Sequence, residues 1–583
     1  MDKIALLKRL LDPKKIAVIG ASKSKEKVGG IVFRRLMDSR RRLFPVNPKE
    51  SAIDGYKVSP DILALPRDID LAVITVSAEK AVESVEQCIE RGIPNYIIVA
   101  GGFGEVGAEG RGLEDRLKQL AKIHHINILG PNSLGIFLPD ENIDTIFVEH
   151  GDKALDRKGK VACIVQSGSA GVEALGYASN TGYGMRAFVG LGNKCDLDEV
   201  DFLYYFSQDE KTNCLGFYLE NIEKGREFLT AARKTAREKP VVVLKAGMTH
   251  TAASAVSSHT GKLAGSDNVI SGALKQFGIQ RVYDDEEFCD ATKVLSMLSG
   301  APGNRVAVLT AAGGYGVMCT DFIEKKDARA TLEMAKLSDD TKKRIKTATF
   351  PFTACENRMH WLESLGNKNP DEFDAKQLVS LYSIKVPQGR RLLPSDTLNT
   401  NDVNPPCVLK VCSSGILHKT DVQGVILNND RECITNNLAI LRHRFPNENI
   451  LVENQAGFMG PEFIVGIIRD PVLGHAVMVG AGGVLTEIYN DTAFRLAPCS
   501  IIDATDMIDE LVLAPVFNNF RGLTLDKHKL ALAISHISQL AHDLGDRLNQ
   551  LDINPIVFSK GEWIALDVKV VLEPNNCKVP ACA

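Results

Sequence analysis

Short, fully apolar runs recur through the first half of the chain, and each follows a basic residue. Ile16–Ile19 follows Lys15, Val161–Val165 follows Lys160, and Val306–Leu309 follows Arg305. Runs this short, rich in β-branched residues, predict parallel strands covered on both faces. Each leads into a small-residue turn and then a helix-like stretch: Gly20-Ala21-Ser22, Gln166-Ser167-Gly168, and Gly313-Gly314-Tyr315-Gly316. Glycine lets the chain turn sharply there and leaves N–H groups open at the next helix start. The openings fall at 15, 160 and 305, evenly spaced by 145 residues. That spacing predicts three successive Rossmann-like or flavodoxin-like α/β units.

The pattern changes after about residue 350. Phe350 to Pro370 has broken periodicity and reads as a linker. From Asp371 onward, short strand-like runs such as Cys407–Val411 and Glu462–Gly466 alternate with helices. A helix is predicted over Lys527–Leu544, followed by strand-like runs at Leu551–Pro555 and Ala565–Lys569. The expected division is 1–145, 146–300, a shortened α/β segment with linker at 301–366, and an α+β domain at 367–583.

Composition narrows the classes. The 583 residues are 44% hydrophobic with a formal net charge of −4. That near-neutral balance argues against a nucleic-acid or membrane-surface binder. No apolar run approaches the ~18–20 residues of a membrane span. The charged start Met1-Asp2-Lys3-Ile4 does not resemble a signal peptide. The 13 cysteines form no CxxC pair and no metal-ligand spacing, which points to a reducing cytoplasm.

Candidate chemistry gathers at a few places. Ser257-Ser258-His259-Thr260-Gly261-Lys262 sets one histidine among small, hydroxylated and glycine residues. Such a run cannot build a core, and it suits a loop holding an anion beside an imidazole. A phosphoryl group on histidine needs N–H donors such as a helix N-terminus, and a carboxylate to orient the ring. Glu220 ends an apolar run, at the edge of a parallel sheet where sites form. In the first domain, Asn47-Pro48-Lys49 follows the second strand, where a dinucleotide fold would place an acidic residue on the ribose. Lys49 instead favours a phosphorylated ribose, as in coenzyme A. Near the C-terminus, Asn554 and Asp567 are expected on adjacent strands as a hairpin. Oxygen ligands so placed suit Mg²⁺ beside phosphates.

These segments, in this order, resemble the ADP-forming acyl-CoA synthetases, relatives of succinyl-CoA synthetase, fused here as one polypeptide. The resemblance covers nearly the whole chain. It implies a Rossmann-like CoA-binding domain, flavodoxin-like ligase domains and a C-terminal ATP-grasp domain. The implied reaction is acyl-CoA + ADP + Pi ⇌ carboxylate + CoA + ATP. The resemblance implies CoA binding by Gly20, Ala21, Ser22, Lys49 and Asn132. It makes His259 the phosphohistidine, Glu220 its orienting carboxylate, and Ser167, Gly168 and Gly314 the facing helix starts. It implies nucleotide binding by Lys410, which follows a strand, and by Glu453, and a phosphate relay through His418. The implied partners are small molecules and a second copy of the chain.

Departures from the family pattern are visible too. No Asn-Pro-Val-Asp-like motif precedes the ATP-grasp segment. Met248 stands where arginine is usual, Ser133 where cysteine is usual, and Thr486 occupies the turn before Glu487. The alternative expectation is an impaired CoA- and nucleotide-binding regulator or an acyltransferase-like relative.

Overall fold

Lys15–Ile19 forms a strand, β1, buried from Ile16 onward. It is followed by β2 (Arg42–Val46), the short hairpin β3 (Ala52–Ile53) and β4 (Tyr56–Lys57), β5 (Leu71–Ile74), β6 (Asn95–Ile98) and β7 (Asn127–Leu129). The main sheet runs β2–β1–β5–β6–β7 with every pair parallel. Sequential strands therefore diverge on either side of β1, and ligands of such sheets bind at that switch point, beyond the carboxyl ends. Gly20 leaves β1 at a φ of +90°. A Cβ at Gly29, in the next helix, would lie 2.0 Å from the Gly20 carbonyl oxygen, so turn and helix touch backbone to backbone.

The structure is a computed structural model describing residues 3–148, 158–181, 184–249, 266–297, 310, 312–324, 357–365, 368–416, 419, 422–483 and 491–573. His259, His418, Thr486, Glu487 and the predicted strand at 306–309 lie outside the described residues. Two units are present, Met1–Asp267 with Phe277–Ile345 and Asn268–Gln276 with Lys346–Ala583.

A second sheet completes the first unit. Its strands are β8 (Gly135–Leu138), β9 (Ile143–Asp144), β10 (Lys158–Val165), β11 (Met185–Gly190), β12 (Cys214–Leu219), β13 (Val241–Lys245) and β14 (Gln280–Val282). The order is β14–β13–β12–β10–β11–β8–β9. β10 through β14 pair in parallel, and the β8–β9 hairpin joins antiparallel along β11. By sequence that hairpin belongs to the first interval, and by hydrogen bonding it belongs to the second sheet. The amphipathic start forms the helix Lys3–Leu11, which buries Leu6, Leu7, Leu10 and Leu11. Of the third α/β segment expected from the sequence, the helix Gly313–Glu324 is described. Its Tyr315 and Met318 are exposed.

The second unit is α+β, as predicted. One antiparallel sheet holds β15 (Gly389–Leu392), β16 (Cys407–Cys412), β17 (Val425–Asn429) and β18 (Asn449–Asn454) in the order β15–β18–β16–β17. The other holds β19 (Phe463–Asp470), β20 (Gly474–Ala481), β21 (Thr492–Leu496), β22 (Leu548–Ser559), β23 (Glu562–Ala565) and β24 (Val568–Leu572). The predicted helix Lys527–Leu544 forms with those bounds. It packs Leu530, Ile534, Ile537 and Leu540 into one core with Phe463, Val465 and Ile467 of β19. Among the described residues no helix is long and apolar enough to cross a membrane.

Candidate active site

The turn after β1 and the loop after β2 meet at the first sheet's switch point. Asn47 Nδ2 donates to the Ala21 carbonyl at 2.7 Å, and its Oδ1 accepts the Lys49 N–H at 2.9 Å. Gly20, Ala21, Ser22 and Lys49 are thereby held at one edge, with Lys49 exposed. Asn132 lies beyond β7 and reaches across to Asn193, Nδ2 to Oδ1 at 3.4 Å. Asn193 in turn donates to Glu105 at 2.6 Å and to Glu114 at 2.9 Å. Glu105 also accepts the Gly102 N–H at 2.6 Å, so the glycine loop after β6 is tied to the second sheet's loop. Ser133 is buried. Its hydroxyl donates to the Gly190 carbonyl at 2.6 Å and accepts the Gly135 N–H at 3.0 Å, a pair of bonds a thiol makes only weakly.

The second sheet brings Ser167, Gly168 and Glu220 together. Glu220 directly follows β12, and Ser167 and Gly168 begin the helix Gly168–Thr181 after β10. Gln166 joins them. Its Oε1 accepts the backbone N–H groups of Glu220 at 2.9 Å and Asn221 at 3.2 Å, and its Nε2 donates to Asn221 Oδ1 at 2.5 Å. The Lys194 ammonium, fully buried, lies 3.0 Å from Glu199 and donates to the Asn221 carbonyl at 2.8 Å. Lys245 ends β13 and is 3% exposed. Burial brings its pKa down to about 8. His259 lies outside the described residues, so the structure does not place it against Glu220. Gly314 is the second residue of the helix Gly313–Glu324, and just before that helix Thr310 Oγ1 accepts the Ala312 N–H at 3.2 Å.

In the second unit the helix Glu372–Leu381 is capped by Asp371, whose carboxylate accepts the Asp374 N–H at 3.0 Å. Residues four apart share a helix face, so Glu372 and Lys376 stand side by side, 2.7 Å apart. They enter a closed charge cluster with Lys410, Lys419, Glu453 and Asp567. Lys410 Nζ lies 3.0 Å from Glu372, 2.6 Å from Glu453 and 2.6 Å from the Leu566 carbonyl oxygen. Lys376 lies 2.6 Å from Glu453, and Lys419 lies 2.8 Å from both Glu372 and Asp567. Burial opposes the charge on Lys410, but Glu372, Glu453 and Asp567 outweigh it and raise its pKa above the ordinary value. Burial likewise works against ionised Glu372, and Lys410, Lys376 and Lys419 reverse this, holding it below the usual carboxylate range.

Two expectations need correcting. Lys410 lies inside β16 rather than after a strand, because β17 and β18 pair with it on both sides. Asp567 is not on a strand. It occupies a two-residue break between β23 and β24, which run in the same direction along β22, so the expected hairpin does form, and the Asp567 carbonyl accepts the Asn554 N–H at 3.2 Å. Asn554, in β22, faces that break, and its Oδ1 accepts the Gly483 N–H at 3.4 Å. A carboxylate and an amide oxygen on adjoining backbone fit a hard divalent cation such as Mg²⁺. Sequence reasoning missed Glu372, Lys376 and Lys419. Beside the cluster lies a cavity of about 660 Å³, walled by Trp361, Phe373, Pro387 and Leu451, with Lys376 and Glu453 also lining it.

Comparisons with known proteins follow the same order along the chain. Residues 14–139 match the CoA binding domain, 158–295 the succinyl-CoA ligase like flavodoxin domain, and 362–572 the ATP-grasp domain. The chain is 37% identical to the acetate–CoA ligase [ADP-forming] I subunit alpha of Pyrococcus furiosus, over 55% of this chain and 70% of the relative. It belongs to the ADP-forming acetate–CoA ligases. As in the single-chain members of that family, the CoA-binding, ligase and ATP-grasp parts are fused. The acetate–CoA ligase [ADP-forming] I of Archaeoglobus fulgidus is 29% identical over 97% of this chain and 99% of the relative. That alignment spans 689 positions against 583 residues, so more than a hundred positions of the relative have no counterpart here. Among solved structures, the dinucleotide forming acetyl-coenzyme A synthetase 1 of Ca. Korarchaeum cryptofilum, in complex with phosphate and ADP, matches with a TM-score of 0.51. The identity is 36%, covering 54% of this chain and 68% of that one. Membership of a ligase family does not favour the alternative of an impaired regulator.

Proposed function

We propose that this enzyme interconverts acyl-CoA, ADP and phosphate with carboxylate, CoA and ATP through a phosphohistidine. Phosphate attacks the thioester carbonyl, the C–S bond breaks, and CoA leaves as an acyl phosphate forms. His259 then takes the phosphoryl group and releases the carboxylate, and ADP receives the group from His259, with His418 as relay. Glu220 orients the imidazole and stabilises its charged state. N–H groups near Ser167, Gly168 and Gly314 receive the phosphoryl oxygens. CoA is held by Gly20, Ala21, Ser22, Lys49 and Asn132.

The observation that carries the reading is the fixing of Glu220 beside the Ser167–Gly168 helix start by Gln166. It holds the backbone of Glu220 next to a helix start, within a chain of this ligase family. In the second unit, Lys410 and Glu453 serve the nucleotide. The adjacent cavity falls within the several hundred Å³ typical of small-molecule sites and offers aromatic walls to a purine. Asn554 and Asp567 would hold Mg²⁺, which when bound would offset phosphate charge.

The division at 1–145, 146–300, 301–366 and 367–583 belongs to the same reading, as do a cytoplasmic setting and a homo-oligomer in which a second copy covers the shortened third part. The enzyme incubated with [γ-³²P]ATP should carry acid-labile, base-stable label, absent from His259→Ala. Full labelling of that variant removes the assignment. Sedimentation showing an active monomer removes the homo-oligomer.

A further inference from the structure

Lys419 pairs with Asp567, one of the two residues assigned above to Mg²⁺. Its Nζ lies 2.8 Å from one carboxylate oxygen of Asp567 and 3.0 Å from the other, and 2.8 Å from Glu372 Oε2. A cation bridging both oxygens of a carboxylate takes the position a directly bound divalent ion would share, and two cations cannot share it without strong repulsion. The cluster is also closed in charge, since Lys376, Lys410 and Lys419 face Glu372, Glu453 and Asp567. A free divalent ion arriving alone would push Lys419 back onto Glu372, which already serves Lys376 and Lys410.

A nucleotide diphosphate changes that balance, because its phosphate oxygens offer the displaced ammonium a new anion. Lys410 and Lys376 are less free to answer. Lys410 is tied to Glu372, Glu453 and the Leu566 carbonyl, and Lys376 to Glu372 and Glu453. Lys419 spans the two carboxylates at the outer end of the cluster, where the Asp567 side chain is 35% exposed.

We propose that Lys419 is the resident cation of the metal position. It closes Asp567 to a free divalent ion and transfers to a nucleotide phosphate when a metal–nucleotide complex enters, so metal and nucleotide arrive together. This rests on the assignment of Asp567 as a metal ligand made above.

Mn²⁺ serves as the probe, with free aquo-Mn²⁺ followed by electron paramagnetic resonance in the full-length protein. The native chain should bind Mn²⁺ only when ADP is present. Lys419→Met should bind Mn²⁺ without nucleotide at least tenfold more tightly than the native chain, and metal-free ADP at least tenfold more weakly. Lys419→Gln, which keeps a polar side chain, should show the same pair of changes if the Met variant does not fold. Adding Asp567→Asn to either should abolish the gained Mn²⁺ binding. Equal nucleotide-free Mn²⁺ binding by native and Lys419 variants, or unchanged ADP affinity, overturns the proposal. Asp567→Asn alone separates the two layers. If it binds MnADP as the native chain does, the metal assignment itself fails. If it weakens MnADP while the Lys419 variants gain no Mn²⁺ binding, only the role of Lys419 fails.

Discussion

Gln166 and Glu220 are joined by a hydrogen bond from the Glu220 backbone N–H to Gln166 Oε1, at 2.9 Å. The residue that precedes Ser167 therefore fixes the loop that carries the carboxylate. Gln166→Leu keeps most of the side-chain volume and removes this bond and its two companions to Asn221. Supporting hydrogen bonds of this kind are worth about 10–100-fold in activity, so turnover should fall by about that factor, with KM for CoA nearly unchanged. Steady-state kinetics across the CoA range check it.

Glu220→Gln preserves shape and removes charge. Thermal unfolding should match the native chain, while turnover falls by about 10–100-fold through loss of imidazole orientation. Initial-rate measurements at saturating substrates decide the point, and an unchanged rate would leave Glu220 as a strand-end residue alone.

Glu372→Gln leaves Lys376, Lys410 and Lys419 with one carboxylate fewer in a buried site. Breaking a buried ion cluster by removing one partner costs about 3–5 kcal/mol, to be read from urea unfolding at pH 7. The folded-state pKa of Glu372 is depressed. Its contribution is therefore present above the ordinary carboxylate value, about 4.3, and is lost as pH falls below it. Native and variant stabilities should converge on acidification.

Lys245 also makes stability fall as pH falls, but in the alkaline range and as an unfavourable buried charge. Its folded pKa of about 8 lies below the ordinary 10.5 of lysine. Between those values the unfolded chain holds the proton more tightly, so stability falls as pH drops from about 10.5 toward 8. Lys245→Met should remove that slope and raise stability at pH 7 by about 3 kcal/mol. Melting temperatures of both proteins from pH 7 to 10 test it.

Much of the fold was legible because buried parallel strands leave a plain signature. The runs after Lys15 and Lys160 became central strands, and Lys527–Leu544 formed with its predicted bounds. The position of Glu220 and Ser167 at the carboxyl edge of the second sheet was legible for a related reason, since each closely follows such a run. The charge cluster was not. Nothing in the sequence singles out Glu372 and Lys376, and only their ion pairs with Lys410 of β16 and Glu453 of β18 show that both are drawn into a buried cluster. Lys419 was overshadowed by His418 beside it, because sequence spacing says nothing about a side chain reaching Asp567, 148 residues away. Asp567 was expected on a strand because Leu566 and Val568 flank it, and the two-residue break between β23 and β24, which continue in one direction along β22, has no glycine to announce it.

The β8–β9 hairpin sets a rule for dissecting this enzyme. Residues 135–144 lie at the junction of the first two parts, yet their hydrogen bonds complete the edge of the second sheet along β11. A protein cut near residue 145 would hand the second fragment a bare β11 edge, a template for association with other chains, and leave the first fragment with an orphan hairpin. The two parts should therefore melt in a single transition and resist separate expression. A workable N-terminal fragment must carry both sheets of the first unit, and a truncation series should show a step in solubility there rather than a gradual loss.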